Sequence, residues 1–168
     1  NGKILLGNSS GVSTQVTPSG DATLSNAGVI TLADTYRIPG KLAGTNFTGS
    51  LLIGHSTTGT LNAATYNTGV GLGALDALTS GDNNVAMGWG AGGTLTTSTQ
   101  NTLIGVNSGT NITTGTGRNT FIGASSGYYI ENGAYNTGVG ENSVNGTSGG
   151  TANYNSGFGK DSLASLTT

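Results

Sequence analysis

The chain of 168 residues contains no cysteine, two prolines, one histidine and one tryptophan. Without cysteine, neither a disulfide framework nor a thiolate metal site is possible. Only 7% of the residues are charged, whereas ordinary globular domains carry roughly 25%. Five basic residues and a net charge of −2 argue against a nucleic-acid binder. The sequence has no run of 18 apolar residues, so we expect no insertion into a membrane.

The N-terminus also lacks the charged and apolar regions that make up a secretory signal peptide. The chain starts at Asn1 rather than at methionine, which favours a processed piece or a fragment of a longer protein.

Glycine supplies 32 residues, and threonine, asparagine and serine are also abundant. From about residue 50 onward they form a repeat, whose clearest unit is Asn119–Gly127, NTFIGASSG. Related units begin at Asn67, Asn101 and Asn136. One glycine anchors each unit, at spacings of 17 to 19 residues. These repeat glycines are Gly54, Gly71, Gly88, Gly105, Gly123, Gly140 and Gly159.

Three positions relative to the repeat glycine have a distinct character. The position before it is always apolar, and we predict that it forms the structural core. Its occupants are Ile53, Val70, Met87, Ile104, Ile122, Val139 and Phe158. The third position after the glycine is always small, which indicates a tight corner or a close contact between layers. The position directly after it varies from His55 to Trp89 and Lys160, so we expect it to face solvent or a partner.

A period of 17 to 19 residues is too short for helical repeats or propeller blades. It predicts an all-β fold, a parallel β-roll or β-solenoid with two short strands per turn. Seven coils spaced about 4.8 Å apart would form a rod roughly 34 Å long. We assign residues 50–168 to this β-roll and residues 1–49 to an N-terminal β-rich shaft or adaptor segment.

The segment Asn83–Gly88, NNVAMG, with Ala91 three residues later, resembles the head repeat of trimeric autotransporter adhesins. Similar repeats occur in tail-fibre proteins of phages and large viruses, and the Asn-Thr-Gly-Val-Gly variant is similar to that viral set. The resemblance covers residues 50–163. It implies a parallel β-roll, three chains side by side and binding to host surfaces. The period is longer than in the adhesins, so we expect the extra residues, such as 94–99 and 110–116, to form loops on one edge.

The first 49 residues differ from the repeat. Residues 4–11 match a repeat unit and suggest an isolated coil, and short β-like runs follow at 12–17, 22–25 and 28–33. The stretch from Ser19 to Leu32 resembles linker segments of phage tail fibres. We interpret it as a shaft that interlocks three chains, with a junction into the roll at residues 36–41.

Catalytic groups are scarce in the repeat. His55 occupies the variable position, and we predict that it is a solvated loop residue. The acidic residues do not pair within one column of adjacent coils, and the turns lack the aspartates of calcium-binding rolls. We therefore expect no enzyme, no cofactor and no metal site. A carboxylate pair assembled across a trimer interface is the one catalytic arrangement left open.

Aromatic side chains are the best candidates for receptor or glycan contacts, because exposed rings stack on sugar faces and offer large contact area. The alternative role is packing between the chains of a trimer. Three tyrosines share one column, five residues before the repeat glycine, which we expect to be exposed. The candidates are Tyr66, Trp89, Tyr128, Tyr129, Tyr135 and Tyr154.

These observations favour a homotrimeric attachment protein, a segment of a phage or virus tail fibre that presents a surface to a host glycan or protein. Such a protein would be extracellular, on a virion tail or a cell-surface appendage. One alternative is a bacterial adhesin head of the autotransporter class, and another is a purely structural fibre spacer. An ice-binding solenoid is a further alternative, but we expect the threonine-rich column three before the glycine to face inward.

Overall fold

The computed structural model describes residues 4–7, 13–16, 22–24, 30–32, 40–55, 57–149 and 151–166. Contacts divide the chain into two compact units, residues 1–38 and residues 39–168. Residues 40–49 therefore belong with the repeat, although we had placed them in the N-terminal segment. They do so because β5 (Gly40–Leu42) adds an antiparallel strand to the first coil and Phe47 is buried in its core.

The first unit contains two antiparallel strand pairs. Strand β1 (Ile4–Gly7) pairs with β2 (Ser13–Val16), and β3 (Ala22–Leu24) pairs with β4 (Ile30–Leu32). All three predicted β-like runs thus contain a strand. Residues 4–7 are not an isolated parallel coil, because their partner runs antiparallel. Residues 36–39 of the predicted junction lie outside the described residues.

The second unit is a β-solenoid built around one parallel sheet of three-residue strands. Each strand pairs with the next one along the chain, in the register that the repeat glycines define. Seven parallel strands delimit about six turns, rather than the seven full coils predicted. The strands are β6 (Leu51–Ile53), β7 (Thr68–Val70), β8 (Val85–Met87), β9 (Thr102–Ile104), β10 (Thr120–Ile122), β11 (Thr137–Val139) and β12 (Ser156–Phe158).

Each turn of the solenoid carries one strand in the described residues, not the two predicted, and the rest of the coil consists of tight turns. Backbone hydrogen bonds nevertheless connect these turns to the equivalent turns of the adjacent coils. Examples are the bonds from Leu75 N to Ala91 O and from Thr96 N to Thr113 O. The segments 94–99 and 110–116 are part of this ladder, with Leu95 and Ile112 fully buried. They contain no strand, as expected of loops, but they are packed into the stack of coils.

The predicted core column is wrong by one residue. Ile53, Val70, Ile104 and Val139 are half-buried, and Met87, Ile122 and Phe158 are exposed. The middle residue of each strand points inward instead, and a shift by one residue in a strand moves every side chain to the opposite face. These inward residues are Leu52, Gly69, Ala86, Leu103, Phe121, Gly138 and Gly157.

A second apolar column completes the core, seven residues after the repeat glycine. Its members Leu78, Leu95, Ile112 and Ile130 are fully buried, whereas Leu61 and Leu166 pack against the core from the two ends. The small column, three residues after the glycine, is confirmed as a close contact. Ser126 and Ser143 are fully buried there, and their hydroxyl oxygens lie 2.8 Å apart in adjacent coils.

A ladder of buried asparagines lies one residue before the strands. From Asn84 onward, each amide nitrogen donates to the amide oxygen of the preceding coil, as from Asn101 to Asn84 (2.9 Å) and from Asn119 to Asn101 (3.1 Å). The same oxygens accept the backbone N–H groups of the next asparagine. The ladder consists of Asn67, Asn84, Asn101, Asn119, Asn136 and Asn155.

The repeat glycines make the corner after each strand possible. Gly105 has φ = 133°, and a Cβ there would lie 2.5 Å from the carbonyl oxygen of Gly123 in the next coil. Side-chain-bearing residues rarely adopt this backbone conformation. Glycine is therefore required both by the turn and by the close approach of adjacent coils.

Candidate interaction surfaces

The outer face of the parallel sheet is largely apolar. The column predicted as core lies here, with Met87 46% and Phe158 71% exposed. Two residues earlier in each strand, the threonine-rich column shares this face, because alternate residues of a strand point the same way. Thr102 and Thr120 are half-buried in it. Our expectation that this column faces inward is therefore wrong.

The variable position after the repeat glycine flanks the outer face. Leu72, Trp89 and Val106 are exposed there in three consecutive coils, and Ala124, Glu141 and Lys160 are exposed in the next three. The expected exposure of this column is thus confirmed for all members except His55. The two columns together place exposed apolar side chains in neighbouring coils along the middle of the solenoid, and exposed apolar patches mark interaction sites.

A row of planar side chains occupies the column five residues before the repeat glycine, which is exposed as predicted. Tyr135 and Tyr154 stack with ring centroids 4.9 Å apart and an interplanar angle of 7°. The guanidinium of Arg118, on the preceding coil, lies 5.3 Å from the centre of the Tyr135 ring. Its Nε donates to Gln100 Oε1 at 2.8 Å, and its Nη1 donates to the Tyr135 hydroxyl. We refer to Gln100, Arg118, Tyr135 and Tyr154 as the planar row.

The other candidate aromatics lie elsewhere. Tyr128 and Tyr129 contact each other edge to face, with centroids 4.7 Å apart, on the turn after β10. Tyr66 belongs to the same column as the planar row, but it lies near the other end of the solenoid, over Gly49. Trp89 lies in the flanking apolar column. The structure thus brings Tyr135 and Tyr154 together and leaves the remaining four in three separate places.

His55 is buried, with 7% of its surface exposed, which contradicts the predicted solvated loop residue. Its Nε2 lies 2.7 Å from the backbone oxygen of Ala74, and its Nδ1 lies 2.9 Å from Thr57 Oγ1. The Thr57 hydroxyl in turn donates to Asp76. Both ring nitrogens are therefore engaged in contacts that connect the first two coils.

Among the described residues, no group of three His, Asp or Glu side chains is placed to hold a metal ion. In the same part of the chain, no helix has the length and apolar character needed to cross a bilayer.

Comparison with protein-family models, with curated proteins and with solved structures finds no counterpart. The interaction surfaces must therefore be interpreted from their own geometry and chemistry.

Sequence reasoning missed two members of the planar row, Gln100 and Arg118. It placed both in the correct exposed column, but it selected candidates by aromatic character alone. The signal that was available is the column itself, in which planar amide, guanidinium and phenol groups follow one another in successive coils. Stacking of coils about 4.8 Å apart brings such groups into mutual contact.

Proposed function

We propose that this chain is a structural, non-catalytic segment of a homotrimeric fibre, a phage or virus tail fibre, that attaches to a host surface. The observation that carries the proposal is the outward apolar face of the solenoid. Exposed apolar surface of this extent is unfavourable in water and is relieved by association. The resemblance to the trimeric β-roll repeats implies that the covering partner is another copy of the chain.

The size of the face supports a partner that covers more than the strands. Seven strands about 4.8 Å apart and about 10 Å long present roughly 340 Å². A standard interface buries about 800 Å² on each partner. The flanking column with Leu72, Trp89 and Val106 is therefore needed as part of the contact. A second copy presents coils with the same spacing, so two sheets can meet coil against coil along their whole length.

Charge supports self-association as well. Neither of the two outward strand columns contains a charged residue in β6–β12. Two or three identical faces can therefore approach without like-charge repulsion, which identical surfaces would otherwise create. In this arrangement the N-terminal strand pairs belong to a shaft or adaptor, and the assembled fibre acts outside the cell with several equivalent binding sites. Linked sites increase avidity without strong individual contacts.

The oligomeric state tests the proposal. The chain has a mass of 16.5 kDa, and we expect sedimentation equilibrium to give three times that value. Glutamate at both Met87 and Ile122 would place charges in the covered face, and we expect the double variant to sediment as a folded monomer. Thr97→Glu is the control, because Thr97 is exposed outside the two outward strand columns. A wild-type monomer, or a trimer unaffected by the double substitution, would overturn the proposal.

Ice binding is the second candidate, since the threonine-rich column faces outward. Thr102, Thr120 and Thr137 follow one another there in consecutive coils, whereas Leu51 and Val85 lie on either side of Thr68, and the large side chains of Met87 and Phe158 lie on the same face. This uneven surface favours protein contact over a flat crystal lattice. Thermal hysteresis, measured for the wild type and for the monomeric double variant, tests ice binding. We expect no hysteresis in either protein.

The bacterial adhesin head and the structural spacer share the trimeric fold with the leading proposal. They differ in what the fibre attaches to and in whether this segment binds at all. Cell-binding assays with this chain and with the full fibre distinguish them. We expect the chain alone to bind host cells, whereas binding by the full fibre only would identify a spacer.

A further inference from the structure

The planar row presents hydrogen-bond donors to solvent. Arg118 has five N–H groups and no acceptor. Two of the five are used within the row, one on Gln100 Oε1 and one on the Tyr135 hydroxyl. The single amide oxygen of Gln100 is thereby occupied, while its amide nitrogen remains a donor. The exposed edge of Gln100 and Arg118 is therefore rich in N–H groups and suited to an acceptor-rich ligand.

The charge of Arg118 is also uncompensated among the described residues. Three cationic side chains are described there. Lys160 lies 3.3 Å from Glu141, and Lys41 lies over the ring of Phe47. Arg118 makes no ion pair in this part of the chain, and its partners Gln100 and Tyr135 are neutral. A carboxylate would supply both the missing charge and two acceptor oxygens, in the bidentate geometry that guanidinium groups favour.

The row is held in place before any ligand arrives. One face of the Tyr135 ring contacts the Arg118 guanidinium and the other contacts the ring of Tyr154, so all three side chains are restrained. Restraint of this kind lowers the entropy cost of binding. Tyr154 is 77% exposed, and the ring face that does not contact Tyr135 is open. Aromatic faces of this kind accept the apolar face of a sugar ring.

From these contacts we propose that the planar row binds a carboxylated oligosaccharide. The carboxylate is held by the N–H groups of Arg118 and Gln100, and a sugar ring two or three units along the chain stacks on the open face of Tyr154. Two coil spacings, about 10 Å, separate Arg118 from the Tyr154 ring, and the sugar lies on the far face of that ring. This inference rests on the proposed attachment function and names the class of glycan to which the fibre attaches.

The test is a calorimetric titration with oligogalacturonate at low salt and at 150 mM salt, with its methyl ester as the uncharged counterpart. We expect the wild type to bind the acid and to bind the ester at least tenfold more weakly, because an ester cannot form the charged hydrogen bonds. Arg118→Gln should weaken binding of the acid about tenfold or more. Arg118→Lys should bind the acid more tightly than Arg118→Gln but more weakly than the wild type, because lysine lacks the planar fork of donors.

Tyr154→Asn tests the stacking contact. Asparagine occupies the same column at position 83 and adopts the same positive φ there, so this variant should keep the fold. We expect a loss of severalfold in the affinity for both the acid and the ester.

Lys160→Gln is the matched control, because it removes one exposed positive charge at another position. We expect it to leave the affinity unchanged. Equal losses in Arg118→Gln and Lys160→Gln would mean that only net charge matters, and that result would overturn the proposal. So would an absence of wild-type binding at millimolar oligosaccharide. Sedimentation of the same samples separates the two claims, because a trimer that does not bind overturns the ligand assignment alone.

Discussion

Replacing Asn101 with alanine removes a side chain that is bonded to the coils on both sides. Its amide nitrogen donates to Asn84 Oδ1 at 2.9 Å and to Ser98 Oγ at 3.0 Å. Its oxygen accepts the backbone N–H and the side-chain N–H of Asn119, both at 3.1 Å. The substitution therefore breaks four hydrogen bonds and leaves the buried backbone N–H of Asn119 without its acceptor.

The cost follows from these contacts. A buried donor without an acceptor costs about 1–3 kcal/mol, and each other lost hydrogen bond about 0.5–1.5 kcal/mol. Because Asn119 keeps a second acceptor, the backbone oxygen of Gly133 at 2.9 Å, its side chain is not fully orphaned. We expect the free energy of unfolding to fall by about 3–5 kcal/mol, a large part of the roughly 5–15 kcal/mol that native proteins possess.

The assay is urea denaturation followed by far-ultraviolet circular dichroism, at one protein concentration at which both proteins have the same oligomeric state. The slope of the transition must be compared as well as its midpoint, because repeat proteins can unfold in parts. Asn62→Ala is the control, since Asn62 is exposed and the same chemical change there should alter stability by less than about 0.5 kcal/mol. A loss below about 1 kcal/mol for Asn101→Ala, with an unchanged slope, would refute the reasoning.

Asn101→Asp separates hydrogen bonding from shape. The introduced carboxyl matches the amide in size, but its ionised form cannot donate to Asn84 Oδ1 and buries a charge. Burial raises the pKa of such a carboxyl above the value of about 3.9 in the unfolded chain. The folded state therefore binds the proton more tightly, and stability relative to wild type should fall as the pH rises from 4 to 7. A deficit that is independent of pH would contradict this account.

Two further pairs of substitutions test the fold. Gly105→Ala should lower the free energy of unfolding by about 2–5 kcal/mol, because its Cβ would collide with Gly123 and its φ is strained. A Cβ built at Gly44 meets no atom within 4 Å, so Gly44→Ala should have little effect on stability. If denaturation gave equal losses of stability for Gly105→Ala and Gly44→Ala, the proposed contact at Gly105 would be contradicted. Phe121→Ala should cost about 3–5 kcal/mol, whereas Ile122→Ala should cost under about 1 kcal/mol in a monomer and weaken association instead. A larger loss of stability for Ile122→Ala than for Phe121→Ala would instead support the core column that the sequence predicts.

The period of the repeat sufficed to predict the solenoid, because the residues that make the corners recur at fixed intervals. Glycines at the corner and small residues three positions later are required in every coil, so each column is visible in the sequence. The number of strands per turn was not visible in the same way. Turns and short strands contain similar Gly, Thr and Asn residues, and hydrogen bonds between coils occur in both.

The direction of the strand side chains could not be predicted from single columns. The inward column contains glycine or alanine in four coils, and its large members Leu52, Leu103 and Phe121 fill the space above small neighbours. A Cβ at Gly69 would lie 2.4 Å from Leu52, and one at Gly138 would lie 3.0 Å from Phe121. This complementarity acts between residues about 17 positions apart. Within one coil, the outward column appears more apolar and therefore more like a core.

The interaction surfaces were predicted in outline only. The exposed column of planar side chains was identified correctly, because its occupants differ too much in polarity to share a buried environment. Its central residue, Arg118, was not selected. The contacts of Arg118 with Gln100 and Tyr135 arise from neighbouring coils, and the sequence alone does not show which side chains meet.

The asparagine ladder helps to account for the outward apolar face. A core stabilised by buried amides needs few large hydrocarbon side chains, so the chain can fold although only 33% of its residues are hydrophobic. Several of the largest, including Met87, Trp89 and Phe158, are then left on the surface, where burial yields about 25 cal/mol per Å². Folding would thus depend on polar as well as apolar contacts inside the solenoid, and association on apolar contacts outside it. The two should be separable, since Asn101→Ala should destabilise the fold without a prior change in affinity between copies. Charges at Met87 and Ile122 should dissociate the copies without unfolding them.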